Sequence, residues 1–182
     1  AEVVFGYHGE NSGVAATAWA ESIGGGAADG VSFDLELFGT VDHPVIITGI
    51  DAESVCHSGR GDVWHVLPPG AGPFQAKPVR IDLDRVPAAG VPEPEQLFDG
   101  AEQPWTFPLQ VSKSEAERLT VLAESRRDCE FVLWVRFSSA GENERLKVDH
   151  RGQPFRVLTS TQAERSLYWN ISGTSATIVP SL

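Results

Sequence analysis

The residues of this chain with the widest chemical reach are five histidines, twenty-five carboxylates, two cysteines and five tryptophans. His8, His43, His57, His65 and His150 are scattered, and none belongs to an H-E-x-x-H pair that would put two imidazoles on one helical face. His57 and His65 converge if they stand on adjacent strands, and Asp51 or Asp62 would then complete a two-histidine, one-carboxylate metal site. The plainer reading is that histidines beside turns are ordinary polar residues. Asp82 and Asp84 project on one wet strand face whose oxygens could hold calcium, although a solvated edge face is the favoured account. With this many acids, some pair reaches glycosidase separation by chance. A carboxylate hydrolase therefore requires a pair inside a cleft with one pKa raised.

Nucleophiles are less informative. Ser58, in Cys56-His57-Ser58-Gly59, and Ser172, in Asn170-Ile171-Ser172-Gly173, lack the G-x-S-x-G elbow and read as turn serines. The glycines from position 24 to 30 do not spell G-x-G-x-x-G and have no strand-to-helix context, which argues against a phosphate loop. Asn170-Ile171-Ser172 matches a glycosylation acceptor only formally. No cofactor is expected.

Cys56 and Cys129 have no C-x-x-C spacing for zinc or redox chemistry and are too few for a disulfide-dense scaffold. Each adjoins an expected strand, which favours one bridge between strands; two buried reduced thiols are the alternative. A bridge across their 73-residue separation would stabilise the fold by roughly 4 kcal/mol through lost unfolded-state entropy.

Among the tryptophans, Trp134 sits mid-strand and reads as a core residue. Trp64, Trp105 and Trp169 lie near loop ends, where large rigid rings offer a platform for sugar rings or a hot-spot patch for a protein. Core packing is the competing role for each of them.

Positioning these side chains falls to short alternating segments. Phe131-Val132-Leu133-Trp134-Val135-Arg136-Phe137 is the strongest strand; Val31, Phe33, Leu35 and Leu37 alternate with polar residues, as do Val79, Ile81 and Leu83. Residues 45–55 form a strand covered on both sides with a bulge at Gly49, and 63–67 a shorter one. Residues 88–95 read as a proline-bearing loop, and prolines flanking the strand at 105–111 place it near an edge or restrict its pairing to its later residues. Residues 112–117 read as a turn followed by a strand, against a competing helical stripe that starts with a capping box at Ser114 and Glu117. Gly152 marks a hairpin between 146–149 and 155–158, and the tail adds a strand through Tyr168, Trp169 and Ile171.

Many strands without long helices call for two packed antiparallel layers, since one sheet would leave an apolar face in water. The expectation is an all-β, immunoglobulin-like antiparallel β-sandwich over residues 31–182 with long loops and at most short helices. Residues 1–30 precede it as an extension carrying an added strand or short helix. One domain suits 182 residues with 41% hydrophobic content; eighteen glycines and twelve prolines serve as punctuation.

Net charge is −11, with the acidity concentrated before position 126. Such a surface repels phosphate backbones and anionic bilayers, so neither nucleic acid nor a membrane surface is an expected partner. No run spans a bilayer. The lack of methionine beside Ala1 leads to the expectation that an initiator, and a signal or anchor with it, lie outside this chain.

Ile47-Thr48-Gly49-Ile50-Asp51, Ile81-Asp82-Leu83-Asp84, the run from Phe107-Pro108 to Glu115, Cys129 leading the strand with Trp134, and Gly152-Gln153-Pro154-Phe155-Arg156 together resemble uncharacterised actinobacterial proteins. In that group a short cytoplasmic part and one transmembrane helix precede a β-rich exported domain. The resemblance covers about residues 31–156 and implies an extracytoplasmic module, secreted or tethered through a segment absent from this chain, with no activity to transfer. The resulting expectation is a non-catalytic extracytoplasmic binding module for a protein or cell-wall glycan. A hydrolase using paired carboxylates or a weak His/Asp metal site is the alternative.

Overall fold

A computed structural model describes residues 27–58, 64–67, 77–97, 100–159, 165–172 and 175–180, with residues 27–28, 64–67, 165–172 and 175–180 described by their backbone. The expected strand at 3–7 and helix at 15–22 lie outside them. The described residues contain fifteen strands and no helix. In chain order these are β1 (Ala27–Ala28), β2 (Gly30–Leu37), β3 (Val45–His57), β4 (Trp64–Leu67), β5 (Lys77–Asp82), β6 (Ala88–Pro92), β7 (Glu95–Gln96), β8 (Glu102–Gln103), β9 (Leu109–Val111), β10 (Glu117–Glu124), β11 (Asp128–Ser139), β12 (Glu142–Val148), β13 (Phe155–Leu158), β14 (Arg165–Ser172) and β15 (Ser175–Pro180).

Ten strands build one mixed sheet in the order β1-β13-β11-β3-β6-β5-β10-β2, with β12 added on β11 and β9 on β3. Its first and last strands are consecutive in the chain. Residues 27–28 pair in parallel with β13, Asp29 turns at φ 59°, and the following residues pair antiparallel with β10. The Asp29 amide donates to Leu158 O at 2.8 Å, and Ser125 N donates to Asp29 O at 3.1 Å. One run of chain thus holds both ends of the sheet, which is nearly barrel-shaped. The all-β expectation is met. The immunoglobulin-like antiparallel sandwich is not established, because β5 and β10 run parallel and the strands belong to one mixed, nearly barrel-shaped sheet.

Alternation decides which side chains fill the interior. Leu133 and Val135 on β11, Ile50 on β3, Val79 and Ile81 on β5 and Leu119 and Val121 on β10 are fully buried. Phe155 stacks on Phe33 with ring centroids 4.8 Å apart and leans on Phe131 at 5.3 Å. Shielding these apolar faces from water is the main favourable term in folding.

Other expectations divide. The bulge falls where it is expected: Arg136 pairs with Gly49 and Phe137 with Ile47, leaving Thr48 as the extra residue. Ser112 Oγ accepts from the amides of Ser114 and Glu115 at 3.3 and 3.1 Å, and Ser112 N donates to Glu115 O at 2.9 Å, so the expected turn before β10 forms and no helix follows it. Residues 88–92 are a strand rather than a loop; Ala88 and Ala89 pair with β3, and the stretch from Gly90 to Pro92 pairs with β5. The expected hairpin between 146–149 and 155–158 is corrected too. Both segments pair with β11, end to end along one edge, and the turn at Arg151 and Gly152 is a local excursion closed by a His150–Gln153 bridge. The true hairpin turn is Ala140-Gly141, between β11 and β12. A separate three-stranded sheet comprises β15, β14 and β4, and β7 and β8 form a small ribbon.

Candidate functional site: the disulfide corner

Strand register brings the two cysteines together. Cys56, near the end of β3, is directly opposite Cys129, near the start of β11, and both face the interior. Their sulfurs are 2.00 Å apart, a disulfide distance, with Cα atoms separated by 4.1 Å. The turn after β5 packs against this bond, where Leu83 O accepts from Ser54 Oγ at 3.2 Å and lies 3.7 Å from Cys56 Sγ.

Asp84, the next residue in that turn, faces the turn joining β10 to β11. Its Oδ1 accepts from Ser125 Oγ and from Arg127 Nε, each at 2.9 Å, and its Oδ2 accepts from the Arg126 amide at 2.9 Å. Partial burial works against the charged form, but these three donors and the Arg127 charge outweigh it and hold the carboxyl below its usual value of 3.8. Asp84 is therefore ionised near neutrality. Ser125 Oγ is also 3.0 Å from Cys129 Sγ. That contact is not a hydrogen bond in the oxidised state, because the sulfur carries no proton and the serine proton is committed to Asp84.

Cys56, Asp84 and Cys129 each offer a ligand atom, and these atoms lie within 4.8 Å of one another. The expected pair Asp82 and Asp84 is not brought together as a cation site. Asp82 is on β5 and pairs with Arg85 at 3.0 Å, and it accepts from the Asp84 amide at 3.0 Å, whereas Asp84 turns toward Ser125. His57 is exposed at the end of β3, opposite Asp128. Asp51 pairs with Arg136 at 2.7 Å on the outer face. Asp62 and the side chains of His65, Trp64 and Trp169 lie outside the described residues. Trp105 is half-buried against the core, edge-on to Phe107 at 5.3 Å, and its indole nitrogen is buried without a partner.

The outer face of β3, β11 and β12 carries a second cluster. Trp134 is on this face rather than in the core, because the inward parity of β11 belongs to Phe131, Leu133 and Val135. Arg145 is its diagonal neighbour across the Ala140-Gly141 hairpin, with its guanidinium carbon 4.0 Å above the indole. Arg145 also pairs with Glu53 at 3.1 Å, and Arg156 with Glu130 at 3.1 Å. Sequence reasoning missed this cluster, although an Ala-Gly turn flanked by alternating segments was available to set the register.

The hydrolase alternative has one geometric ingredient, His43 Nε2 at 2.9 Å from Ser139 Oγ, in an exposed position. Nearby, an open polar basin of about 380 Å³ is lined by His43, Ser112 and Lys113, with Lys113 bound to Asp42 at 2.6 Å. Among the described residues no carboxylate orients that histidine, and the open basin provides no dry cleft. Comparison of the chain with protein-family models, curated proteins and solved structures gives no significant match.

Proposed function

We propose that this chain is a non-catalytic extracytoplasmic binding module whose partner is a protein seated on the outer face of β3, β11 and β12. The observation that carries the reading is Trp134 beneath Arg145 at 4.0 Å, on a face that also exposes Val55 and carries three ion pairs. Tryptophan and arginine are the residues on which protein interfaces concentrate their binding energy, and paired charges at the rim set register more than affinity. The Cys56–Cys129 bond supports a location outside the cytoplasm, where disulfides persist. The finer fold reading belongs here as well: a flattened barrel whose opposed walls pack as the layers of a sandwich.

The test is affinity capture from native envelope extract on immobilised wild-type chain and on Arg145→Glu and Trp134→Ala variants, beside a glycan-binding screen. A protein retained by the wild type and lost from both variants, with circular dichroism unchanged, is the expected result. Equal retention by all three baits overturns the reading, and a glycan hit without a protein hit replaces the partner class.

A further inference from the structure

We infer that the disulfide corner is a redox-gated metal site: reduction of the Cys56–Cys129 bond creates a zinc-binding centre of two thiolates and the Asp84 carboxylate. The inference does not rest on the binding face proposed above. It starts from the three ligand atoms already within 4.8 Å of one another, contributed by three separate elements of one rigid corner. Zinc takes thiolates at about 2.3 Å and a carboxylate oxygen at about 2.0 Å in a tetrahedral array. Two thiolates on one zinc stand roughly 3.7 Å apart by that geometry. With the Cα atoms 4.1 Å apart, rotation about the two Cα–Cβ bonds lets the freed sulfurs reach that separation without moving β3 or β11.

The third ligand is held close by, a shift of about 1 Å from a shared zinc. Ser125, the Arg126 amide and Arg127 hold Asp84 in one orientation at 2.9 Å each, so little ordering remains to be done when metal arrives. Charge supports the same assignment. Two thiolates and a carboxylate around a divalent ion leave one negative charge, and Arg127, 2.9 Å from Asp84, neutralises it. Water takes the fourth position.

The gate follows from the chemistry of sulfur. In the disulfide neither sulfur carries the negative charge that binds zinc, so the site is closed. A dithiol reductant transfers two electrons and two protons, opening the Cys56–Cys129 bond to two thiols while the reductant becomes a disulfide. Zinc then displaces the two thiol protons to solvent as it binds. Oxidation by a disulfide-forming partner reverses both steps and releases the ion.

The probe is Co²⁺, titrated into the full chain before and after treatment with a phosphine reductant, with Zn²⁺ as competitor. The reduced chain is expected to take one equivalent, with thiolate-to-cobalt charge-transfer absorption that Zn²⁺ abolishes, and the oxidised chain to show none. Asp84→Ala is expected to weaken Co²⁺ at least about ten-fold, and Cys129→Ser to remove the two-thiolate spectrum. Should reduction alone unfold the chain, Zn²⁺ is expected to restore its β-sheet circular dichroism. Absence of charge-transfer absorption in the reduced, folded chain, an Asp84→Ala affinity equal to wild type, or failure of Zn²⁺ to refold an unfolded reduced chain each overturns the inference.

Discussion

Asp84 accepts three hydrogen bonds from a single short turn, and this concentration of donors sets both its charge and its structural role. Replacing it with alanine leaves the Arg126 amide and the Ser125 hydroxyl without their acceptor, so Asp84→Ala is expected to cost about 2 kcal/mol at pH 7. Because the folded carboxyl titrates below its ordinary value of 3.8, the stabilisation is complete above that value and disappears as pH falls through the depressed one. Urea unfolding of wild type and variant at pH 7 and at successively lower pH should show the two midpoints converging. A gap that persists unchanged into strong acid assigns the loss to packing instead. Sequence exposed the acid but not its role, because Ser125-Arg126-Arg127 reads as any charged turn until β10 and β11 bring it against residue 84. Trp134 was misread for a different reason. Val132 and Trp134 make the middle of β11 apolar on both parities, so the consecutive apolar residues there do not say which face is inside.

The strand least legible in the sequence, β6, is the one that turns the sheet. Its alanines, glycine and proline give no hydrophobic alternation, yet its first half pairs with β3 and its second half with β5. Gly90 lies at the switch, where a Cβ would meet the carbonyl oxygen of Ile50 and Cγ1 of Val79, both at 2.8 Å. Backbone cannot yield as a flexible side chain can. Gly90→Ala is therefore expected to destabilise by about 2 kcal/mol or more through overpacking, read as a lowered denaturant midpoint with the spectrum of the surviving fold unchanged. Strands such as β2 and β5 were readable because each has an interior face and a polar face. Sheet closure was not readable, since it depends on which strands meet rather than on where they lie.

At the scale of the whole molecule, the Cys56–Cys129 bond joins β3 to β11, the two longest strands, across 73 positions. Cutting it frees the unfolded chain, so the reduced protein is expected to lose roughly 4 kcal/mol in metal-free buffer. Guanidinium unfolding with and without reductant measures this, and coincident curves would show that strand pairing alone holds the corner. The expectation of a long-range bridge came from the chain's two cysteines flanking strands, and register supplies the reason it can form.

The left-handed step at Asp29 has a consequence for how the chain is made. Residues 27–37 are synthesised before their partners: the first pair needs β13, which ends at Leu158, and the rest need β10, which ends at Glu124. Whether it emerges from a ribosome or threads through a translocation pore, this ribbon must wait for β10, about eighty residues later, before its apolar residues find their partners, and for β13 before residues 27–28 do. Closure of the barrel is then a late event governed by the most distant contacts in the sequence, and folding of this kind is slow. A holding chaperone acting on that ribbon would decide between a closed molecule and an aggregate.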